Sequence, residues 1–470
     1  MAITLRFCGG VGTVTGSMHL ISTPRSRVLV DCGLFHGHRD EFYSVNSQFS
    51  FNPSDLDACV ISHAHIDHCG NLPTLIKHGF RSDIHCTPAT RDLCRYMLPD
   101  SGYVQEEDIK YVNKINRRKG LPPREPLYTK KEAELSLKYF RPVEYYKRFQ
   151  ICEDIDLTFF DAGHILGSAI PVFDIKARKG RVRLAYATDL GRYDMPLMRD
   201  PEIPKDIDYL IIESTYGGRS HESINDAKER FAETINRTVG RGGKVIIPSF
   251  ALERTQLIVF FIGELMKEGK IKKIPIYVDS PLAVNLTDVF RQNWEYFDDE
   301  TKRLFQEEGD PLGSDNVTYV SGVNDSKSLH NEPAPLIIIS AAGMCENGRI
   351  LHHLKNSVEN PRNTIVIVGF MAKDTLGRRL VEKDKLIRIF GQLYELNAEV
   401  AVFNAFSAHA DEKGLFDYVK GCRETVAQVF VVHGEQDQSD CLRDRIRTLG
   451  IKAKVPGKDE TVFLKPRQEK

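Results

Sequence analysis

The stretch SHAHIDH, residues 62–68, follows an apolar run and brings three imidazoles and one carboxylate together. His63 and His65, two apart on an extended chain, project to the same side, whereas Asp67 and His68 belong to the start of a following helix. One tetrahedral ion does not accommodate all four donors, but two ions do. Paired divalent metals roughly 3.5–4 Å apart activate water at neutral pH and clamp a displacement reaction. The stretch therefore predicts a two-metal centre.

Further candidate ligands follow strand-like apolar runs later in the chain, namely His164, Asp189 and His433. Strands of this length, interleaved with helices, build layered α/β sheets with ligand chemistry at one edge, so these side chains are expected to converge. The predicted first ion is held by His63, His65 and His164, the second by Asp67, His68 and His433, and Asp189 bridges the pair.

Three more polar residues lie after apolar runs without being assigned to a metal. Asp31 is expected to accept a hydrogen bond from a ligand imidazole and fix its tautomer; a helix N-cap is the alternative. His409 is the candidate general acid for the alkoxide that leaves a cleaved phosphodiester, and Glu213 would hold it charged and oriented. A histidine at a helix start is the alternative for His409. Together with Asp67, Glu213 and His409 are the predicted catalytic residues.

The composition excludes several classes of protein. The 470 residues carry 64 basic and 65 acidic side chains, so no global field steers nucleic acid and any polyanion site must be local. No run of eighteen apolar residues and no apolar leader with a basic flank occurs, which predicts a cytoplasmic protein without a membrane partner. The ten cysteines form no CxxC pair, which favours reduced thiols over a cysteine zinc site.

The residues between Glu213 and His409 follow a different pattern. Apolar runs at 244–248, 275–279, 336–340 and 364–369 alternate with helical stretches and carry no histidine and aspartate set of their own. This alternation predicts a parallel α/β unit of roughly 180 residues inserted into the metal-binding domain. The predicted boundaries are 1–216 for the first part of that domain, 217–396 for the insert and 397–470 for the second part.

Small and basic side chains near strand ends of the insert are predicted to bind phosphate, because they expose backbone N–H groups or offer bidentate guanidinium donors. They are Ser340, Ala341, Gly343, Arg254, Arg378 and Arg379.

The chain resembles the metallo-β-lactamase superfamily and, within it, the β-CASP nucleases. Its motifs fall in the family's order at 13–17, 31–33, 63–68, 163–164, 188–189, 213–216, 340–344, 377–379, 407–411 and 432–435. The resemblance implies an αββα sandwich split by an inserted β-CASP domain. It also implies two zinc ions and hydrolysis of a nucleic acid to 5′-phosphate and 3′-hydroxyl ends. One departure is Glu253, an acid where the family usually has glycine, which would weaken or redirect a phosphate contact of Arg254.

Single-stranded RNA is the expected substrate, because in this family a histidine at the position of His433 accompanies RNA-cleaving members. The lack of KH-type modules and the 37 residues after His433 (470 minus 433) favour an endonuclease over a 5′-exoribonuclease. A DNA-cleaving nuclease of the same family is a further alternative. A non-catalytic scaffold is disfavoured, since no ligand is missing. The C-terminal strand 461–464 is the edge expected to pair in a homodimer.

Overall fold

The computed structural model describes residues 2–37, 39–369, 371–372 and 374–467, apart from the side chains of residues 39 and 40. The chain divides into two compact units. Unit 1 comprises Met1–Ser220 and His409–Lys470, and unit 2 comprises His221–Ala408. Strands and helices are numbered in chain order across both units.

Within its described residues, unit 1 contains two seven-stranded sheets. The first consists of β1 (Ile3–Gly9), β2 (Met18–Ser22), β3 (Arg27–Val30), β4 (Ala58–Val60), β5 (Asp83–Cys86), β6 (Phe140–Pro142) and β22 (Thr461–Leu464). Their order is β22-β1-β2-β3-β4-β5-β6, antiparallel from β22 to β3 and parallel from β3 to β6. Strand β22 therefore lies at an edge, where Phe463 is 70% exposed.

The second sheet of unit 1 carries most of the remaining candidate ligands at its strand ends. It consists of β7 (Phe149–Cys152), β8 (Ile155–Asp161), β9 (Ala169–Lys176), β10 (Arg181–Ala187), β11 (Tyr209–Ile212), β20 (Gln428–Val431) and β21 (Lys452–Lys454). Their order is β21-β20-β11-β10-β9-β8-β7. Strands β10, β11, β20 and β21 run parallel, while β7 to β10 form an antiparallel meander.

The two sheets of unit 1 face each other and carry helices on their outer sides. The helices are α1 (Arg39–Asn46), α2 (Ile66–Cys69), α3 (Leu72–Lys77), α4 (Pro88–Lys119), α5 (Lys130–Ser136), α13 (Glu412–Gly421) and α14 (Gln436–Arg447). The rings of Phe7 and Phe430, one from each sheet, lie 5.3 Å apart in the buried interior. Leu415 and Leu442 pack from α13 and α14 onto the second sheet, and α4 packs against β6. The predicted αββα sandwich is confirmed.

Unit 2 is a parallel α/β domain, as predicted for the insert. Its sheet consists of β12 (Lys244–Pro248), β13 (Ile276–Asp279), β14 (Val317–Val320), β15 (Leu336–Ser340), β16 (Thr364–Ile367) and β19 (Glu399–Val402). These strands pair in the order β14-β13-β15-β12-β16-β19, and every pair is parallel. A separate hairpin joins β17 (Leu386–Ile389) and β18 (Gln392–Glu395).

The helices of unit 2 separate the strands of its sheet along the chain. They are α6 (Ile224–Gly240), α7 (Arg254–Lys267), α8 (Pro281–Gln292), α9 (Asp299–Glu307), α10 (Val323–Ser328), α11 (Ile350–Lys355) and α12 (Leu376–Val381). The second boundary follows Ala408 rather than residue 396, because β19 pairs with β16 and so belongs to the inserted sheet. None of the described helices has both the length and the apolar character needed to cross a membrane.

Candidate metal centre

Three imidazoles and one carboxylate oxygen converge just beyond the end of β4. The Nδ1 atom of His65 lies 3.1 Å from Nε2 of His63 and 3.3 Å from Nε2 of His164. The Oδ2 atom of Asp189 lies 3.3 Å from Nε2 of His63 and 3.4 Å from Nε2 of His164. These four atoms form the first cluster, which is the set predicted for the first ion.

The second cluster contains Asp67, His68 and His433. Oδ2 of Asp67 lies 3.8 Å from the Nε2 atoms of both histidines. Each of these Nε2 atoms is 3.2 Å from Oδ1 of Asp189. Asp189 therefore turns one carboxylate oxygen to each cluster, which is the arrangement expected of a bridging ligand.

Several of these residues adopt backbone angles that side chains usually avoid. Asp31, Asp189 and His433 follow strands β3, β10 and β20 and have φ values of 56°, 55° and 48°. Such angles persist only where surrounding contacts fix them. The N–H of Asp31 donates to the carbonyl of Val60 over 2.8 Å, and that of His433 donates to the carbonyl of Gly10 over 2.7 Å. These turns aim the side chains away from the strand direction and into the centre.

The chemistry of the buried donors fits a pair of cations. Among the described residues, Nε2 of His68 and Oδ1 of Asp189 are buried without a hydrogen-bond partner, although they face each other. Burial, followed by repulsion from His63, lowers the pKa of His65 to about 3. Burial and the neighbouring His409 lower the pKa of His164. Neutral imidazoles with free lone pairs, joined by carboxylates, are the donors that zinc prefers.

A second layer of side chains orients the imidazoles. Nδ1 of His68 donates to Oδ2 of Asp31 over 2.7 Å. The same carboxylate accepts hydrogen bonds from the backbone N–H and hydroxyl of Ser62 and from the hydroxyl of Tyr186. Nδ1 of His433 lies 2.7 Å from the hydroxyl of Ser17. No helix begins at residues 32–36, all of which are described, so the N-cap alternative for Asp31 is not supported.

Ser17, Ser62 and Tyr186 were not among the predicted site residues. Ser62 directly precedes the first ligand and Ser17 ends the 13–17 motif, so position offered a weak signal for both. Tyr186 lies in β10, whereas Asp31 follows a strand of the other sheet. Only the stacking of the sheets connects this hydroxyl with the centre.

The buried Glu213 and the partly exposed His409 form a pair beside the first cluster. Nδ1 of His409 lies 3.2 Å and 3.1 Å from the two carboxylate oxygens of Glu213, and Oε1 also accepts the N–H of Leu190 over 2.6 Å. The rings of His409 and His164 are 4.5 Å apart. Burial favours the neutral imidazole, but the Glu213 carboxylate prevails and raises the pKa of His409 to about 9.

The helix that follows His409 has its own cap. Helix α13 begins at Glu412, and the carboxylate of Asp411 accepts the N–H of Gly414 over 3.0 Å. His409 instead pairs with Gly191 in an isolated β-bridge. The helix-start alternative for His409 is therefore not supported.

Comparison with known proteins agrees with this geometry. Family models described as metallo-beta-lactamase superfamily, Beta-Casp domain and Zn-dependent metallo-hydrolase RNA specificity domain match residues 11–131, 255–380 and 393–456 in turn. Ribonuclease TTHA0252 of Thermus thermophilus is 33% identical, over 92% of this chain and 93% of its own length. The chain belongs to the β-CASP family of metallo-β-lactamase proteins. This β-CASP protein is a metal-dependent hydrolase of the nuclease class.

Two further similarities extend over nearly the whole chain. Transcription termination factor FttA of Methanosarcina mazei is 32% identical, over 97% of this β-CASP chain and 71% of its own length. A crystal structure of a protein of unknown function from Enterococcus faecalis has a TM-score of 0.55 at 11% identity, covering 99% of this chain and 100% of that one. At that identity the second similarity supports the fold alone.

The predicted phosphate-binding residues of this β-CASP protein differ in how they are engaged. Ser340 is buried and donates its hydroxyl hydrogen to the carbonyl of Asp279 over 2.8 Å. Arg254 is 8% exposed and donates to the carbonyl of Val368. Arg378 pairs with Glu382 at 2.7 Å, and Arg379 is exposed. Gly343 is buried and Ala341 partly exposed. Arg379 is thus the most accessible cation of the predicted set.

Proposed function

We propose that this β-CASP protein is a two-zinc endoribonuclease that cleaves single-stranded RNA and leaves 5′-phosphate and 3′-hydroxyl ends. The observation that carries the proposal is the position of Asp189, whose two oxygens face two separate clusters of imidazole and carboxylate donors. The named ribonuclease relative and the RNA specificity domain support RNA as the polymer.

The residues that would hold the metals follow from the clusters. His63, His65 and His164 would hold one zinc, Asp67, His68 and His433 the other, and Asp189 both. When bound, such a pair supplies Lewis acidity toward a phosphodiester and lowers the pKa of water. Asp31 and the hydroxyl of Ser17 keep the imidazoles of His68 and His433 in place through their Nδ1 atoms.

His409 supplies the proton that the leaving group needs. In hydrolysis a water molecule loses a proton to the solvent as its oxygen bonds to phosphorus, the bond from phosphorus to the 3′-oxygen breaks, and that oxygen takes up a proton. The Glu213 carboxylate accepts the Nδ1 proton of His409, which leaves the Nε2 proton as the one to be donated. Glu213 is a positioning residue, because it acts through the imidazole.

Cleavage of matched RNA and DNA tests the proposal. Unstructured RNA and DNA of one sequence, labelled at the 5′ or the 3′ end, are incubated with zinc and with wild-type or Asp67→Ala protein. Internal RNA fragments are expected from the wild type and not from Asp67→Ala. Asp57→Ala, which changes an exposed carboxylate of the same unit, is the matched control.

Each other outcome would contradict a defined part of the proposal. A mononucleotide ladder from the 5′ end indicates a 5′-exoribonuclease. Equal cleavage of DNA contradicts RNA selectivity. No turnover of either polymer, with zinc bound, contradicts nuclease activity and leaves the scaffold alternative.

A further inference from the structure

After residue 99, the charged side chains of helix α4 fall in two blocks. Between residues 100 and 108 the charged side chains are acidic, Asp100, Glu106, Glu107 and Asp108, whereas those between 109 and 119 are basic, Lys110, Lys114, Arg117, Arg118 and Lys119. The helix dipole accounts for cations in the last turn, but Lys110 and Lys114 lie before it. In a chain of net charge −1, the end of α4 is a local positive surface.

Two tyrosines lie on the solvent side of the same helix. Tyr103 is 53% exposed and Tyr111 is 58% exposed. At 3.6 residues per turn, Lys114 and Arg118 fall on the same side as these rings, and both are exposed. The opposite side is packed through buried residues such as Ile109. Along this side the two rings, with the exposed Glu107 between them, are followed by Lys114 and Arg118, and Glu107 is paired with Lys110 over 2.5 Å.

We propose that this face of α4, made of Tyr103, Tyr111, Lys114 and Arg118 and named the α4 strip, binds single-stranded RNA outside the catalytic centre. Unpaired bases stack on aromatic rings while cations hold the phosphates, and this combination is typical of single-strand binding surfaces. A duplex keeps its bases stacked on one another and offers only its backbone. The inference rests on the proposed function for the choice of RNA as the polymer.

The position of α4 relative to the metal centre sets a length requirement. The hydroxyls of Thr87 and Thr90, at the start of the helix, donate to the carbonyl of Gly167 over 2.6 Å and 2.9 Å, close in sequence to His164. At about 1.5 Å per residue, Tyr103 lies about 22 Å and Arg118 about 45 Å along the helix from its start. At about 3.4 Å per stacked nucleotide, about 7 nucleotides reach the near end of the α4 strip and about 13 reach its far end. A short substrate therefore reaches the catalytic centre without touching the α4 strip, whereas a long one contacts both.

The test compares RNA of about 6 nucleotides with RNA of about 30 nucleotides, lengths on either side of the estimated span. Binding is measured by fluorescence anisotropy on chelator-treated protein, and cleavage is measured with zinc. For Lys114→Glu/Arg118→Glu, the Kd of the long RNA should rise about tenfold while that of the short RNA and kcat stay unchanged. The slope of log Kd against log salt should fall by about 1.4, at about 0.7 for each lost phosphate contact. Arg178→Glu/Lys179→Glu, an equal charge change in the exposed turn between β9 and β10, should have no effect.

A second pair of variants tests the rings. Tyr103→Ala/Tyr111→Ala should weaken binding of the long RNA about tenfold, and Tyr103→Phe/Tyr111→Phe should restore it because stacking needs only the ring. An unchanged Kd in the charge-reversed variant, or an equal rise in the Arg178→Glu/Lys179→Glu control, overturns the inference. Wild-type protein that binds long RNA better than short RNA but cuts neither overturns the proposed function alone. If the wild type cleaves RNA but the variants of the α4 strip bind the long RNA with an unchanged Kd, the proposed role of the α4 strip is overturned and the proposed function is not.

Discussion

The imidazole of His68 and the carboxylate of Asp31 are joined by a 2.7 Å hydrogen bond, with both side chains fully buried. The bond directs the Nδ1 proton to Asp31, so that Nε2 points toward the carboxylates of Asp67 and Asp189. Asp31 is held in turn by Ser62 and Tyr186. Asp31, which would contact no metal, thus orients the imidazole of His68, which would.

Asp31→Asn should lower zinc affinity by about 10- to 100-fold, because an amide replaces the acceptor that orients His68. Asparagine tolerates the φ of 56° at this position, so the turn is kept. Competition with a fluorescent chelator measures the affinity. Asp194→Asn, at an exposed aspartate with a φ of 58°, is the matched control. Unchanged affinity in Asp31→Asn would remove the orienting role.

Asp67→Ala and Asp189→Ala should differ in zinc content. Asp67 offers a donor to the second cluster only, so its loss should leave about one zinc per chain instead of about two. Asp189 faces both clusters, and its loss should weaken both ions. Mass spectrometry of the metal content gives the stoichiometry, and both variants should lose nearly all turnover. Equal metal contents in the two variants would argue against a bridging Asp189.

His409→Ala should keep its zinc and lose about 10²- to 10⁴-fold in rate, since an unprotonated 3′-oxygen leaves slowly. An RNA with sulfur in place of the bridging 3′-oxygen needs no proton on its leaving group. The rate loss of His409→Ala should therefore shrink on that substrate. Glu213→Gln, which retains an acceptor for the N–H of Leu190, should show a smaller loss of the same kind. An undiminished loss on the sulfur substrate would show that His409 acts in another way.

The sequence was sufficient to group the side chains that meet at the candidate centre, because histidines and aspartates after apolar strands have few other uses when they recur at one sheet edge. His164 and Asp189 could thus be assigned together before any distance was known. The hydroxyl partners could not be assigned. Ser17 and His433 are separated by 416 positions and meet through packing alone, and serine or tyrosine at a strand end has no single chemical meaning.

The inserted domain shows a similar division. Strands β12, β13, β15 and β16 are continuous apolar runs, which a strand buried on both faces requires, and all were predicted. Strand β14 was not predicted, because it is mostly half exposed and includes polar Thr318. Strand β19 was placed in the other domain, since its pairing with β16 is a long-range property that its own residues do not encode.

Asp100 gives the fold of unit 1 a pH dependence. Burial raises the pKa of its carboxyl to about 6. Its contribution to stability is complete below about pH 4 and is lost as pH rises through 6, because the folded state holds the proton more tightly. Asp100→Asn should therefore melt at a higher temperature than wild type, with a gain that grows between pH 4 and 6 and then levels. Asp108→Asn, on the same helix, is the control, and a pH-independent gain would contradict the assignment.

Glu253 occupies a γ-turn with a φ of 67° and a ψ of −59°. The N–H of Arg254 closes the turn on the carbonyl of Leu252 over 2.9 Å, at the start of α7. This conformation is rare and strained for a residue with a side chain, so glycine would be favoured at this position. The strain is about 1–3 kcal/mol.

Glu253→Gly should therefore be more stable than Glu253→Ala, as measured by urea unfolding. Both changes remove the carboxylate that lies 3.4 Å from Nε of Arg254, so their difference isolates the backbone. Where φ is negative, alanine is the more stable of the two by about 0.5–1 kcal/mol. A more stable Glu253→Gly identifies strain at residue 253, whereas a more stable Glu253→Ala would show that this γ-turn is relaxed in solution.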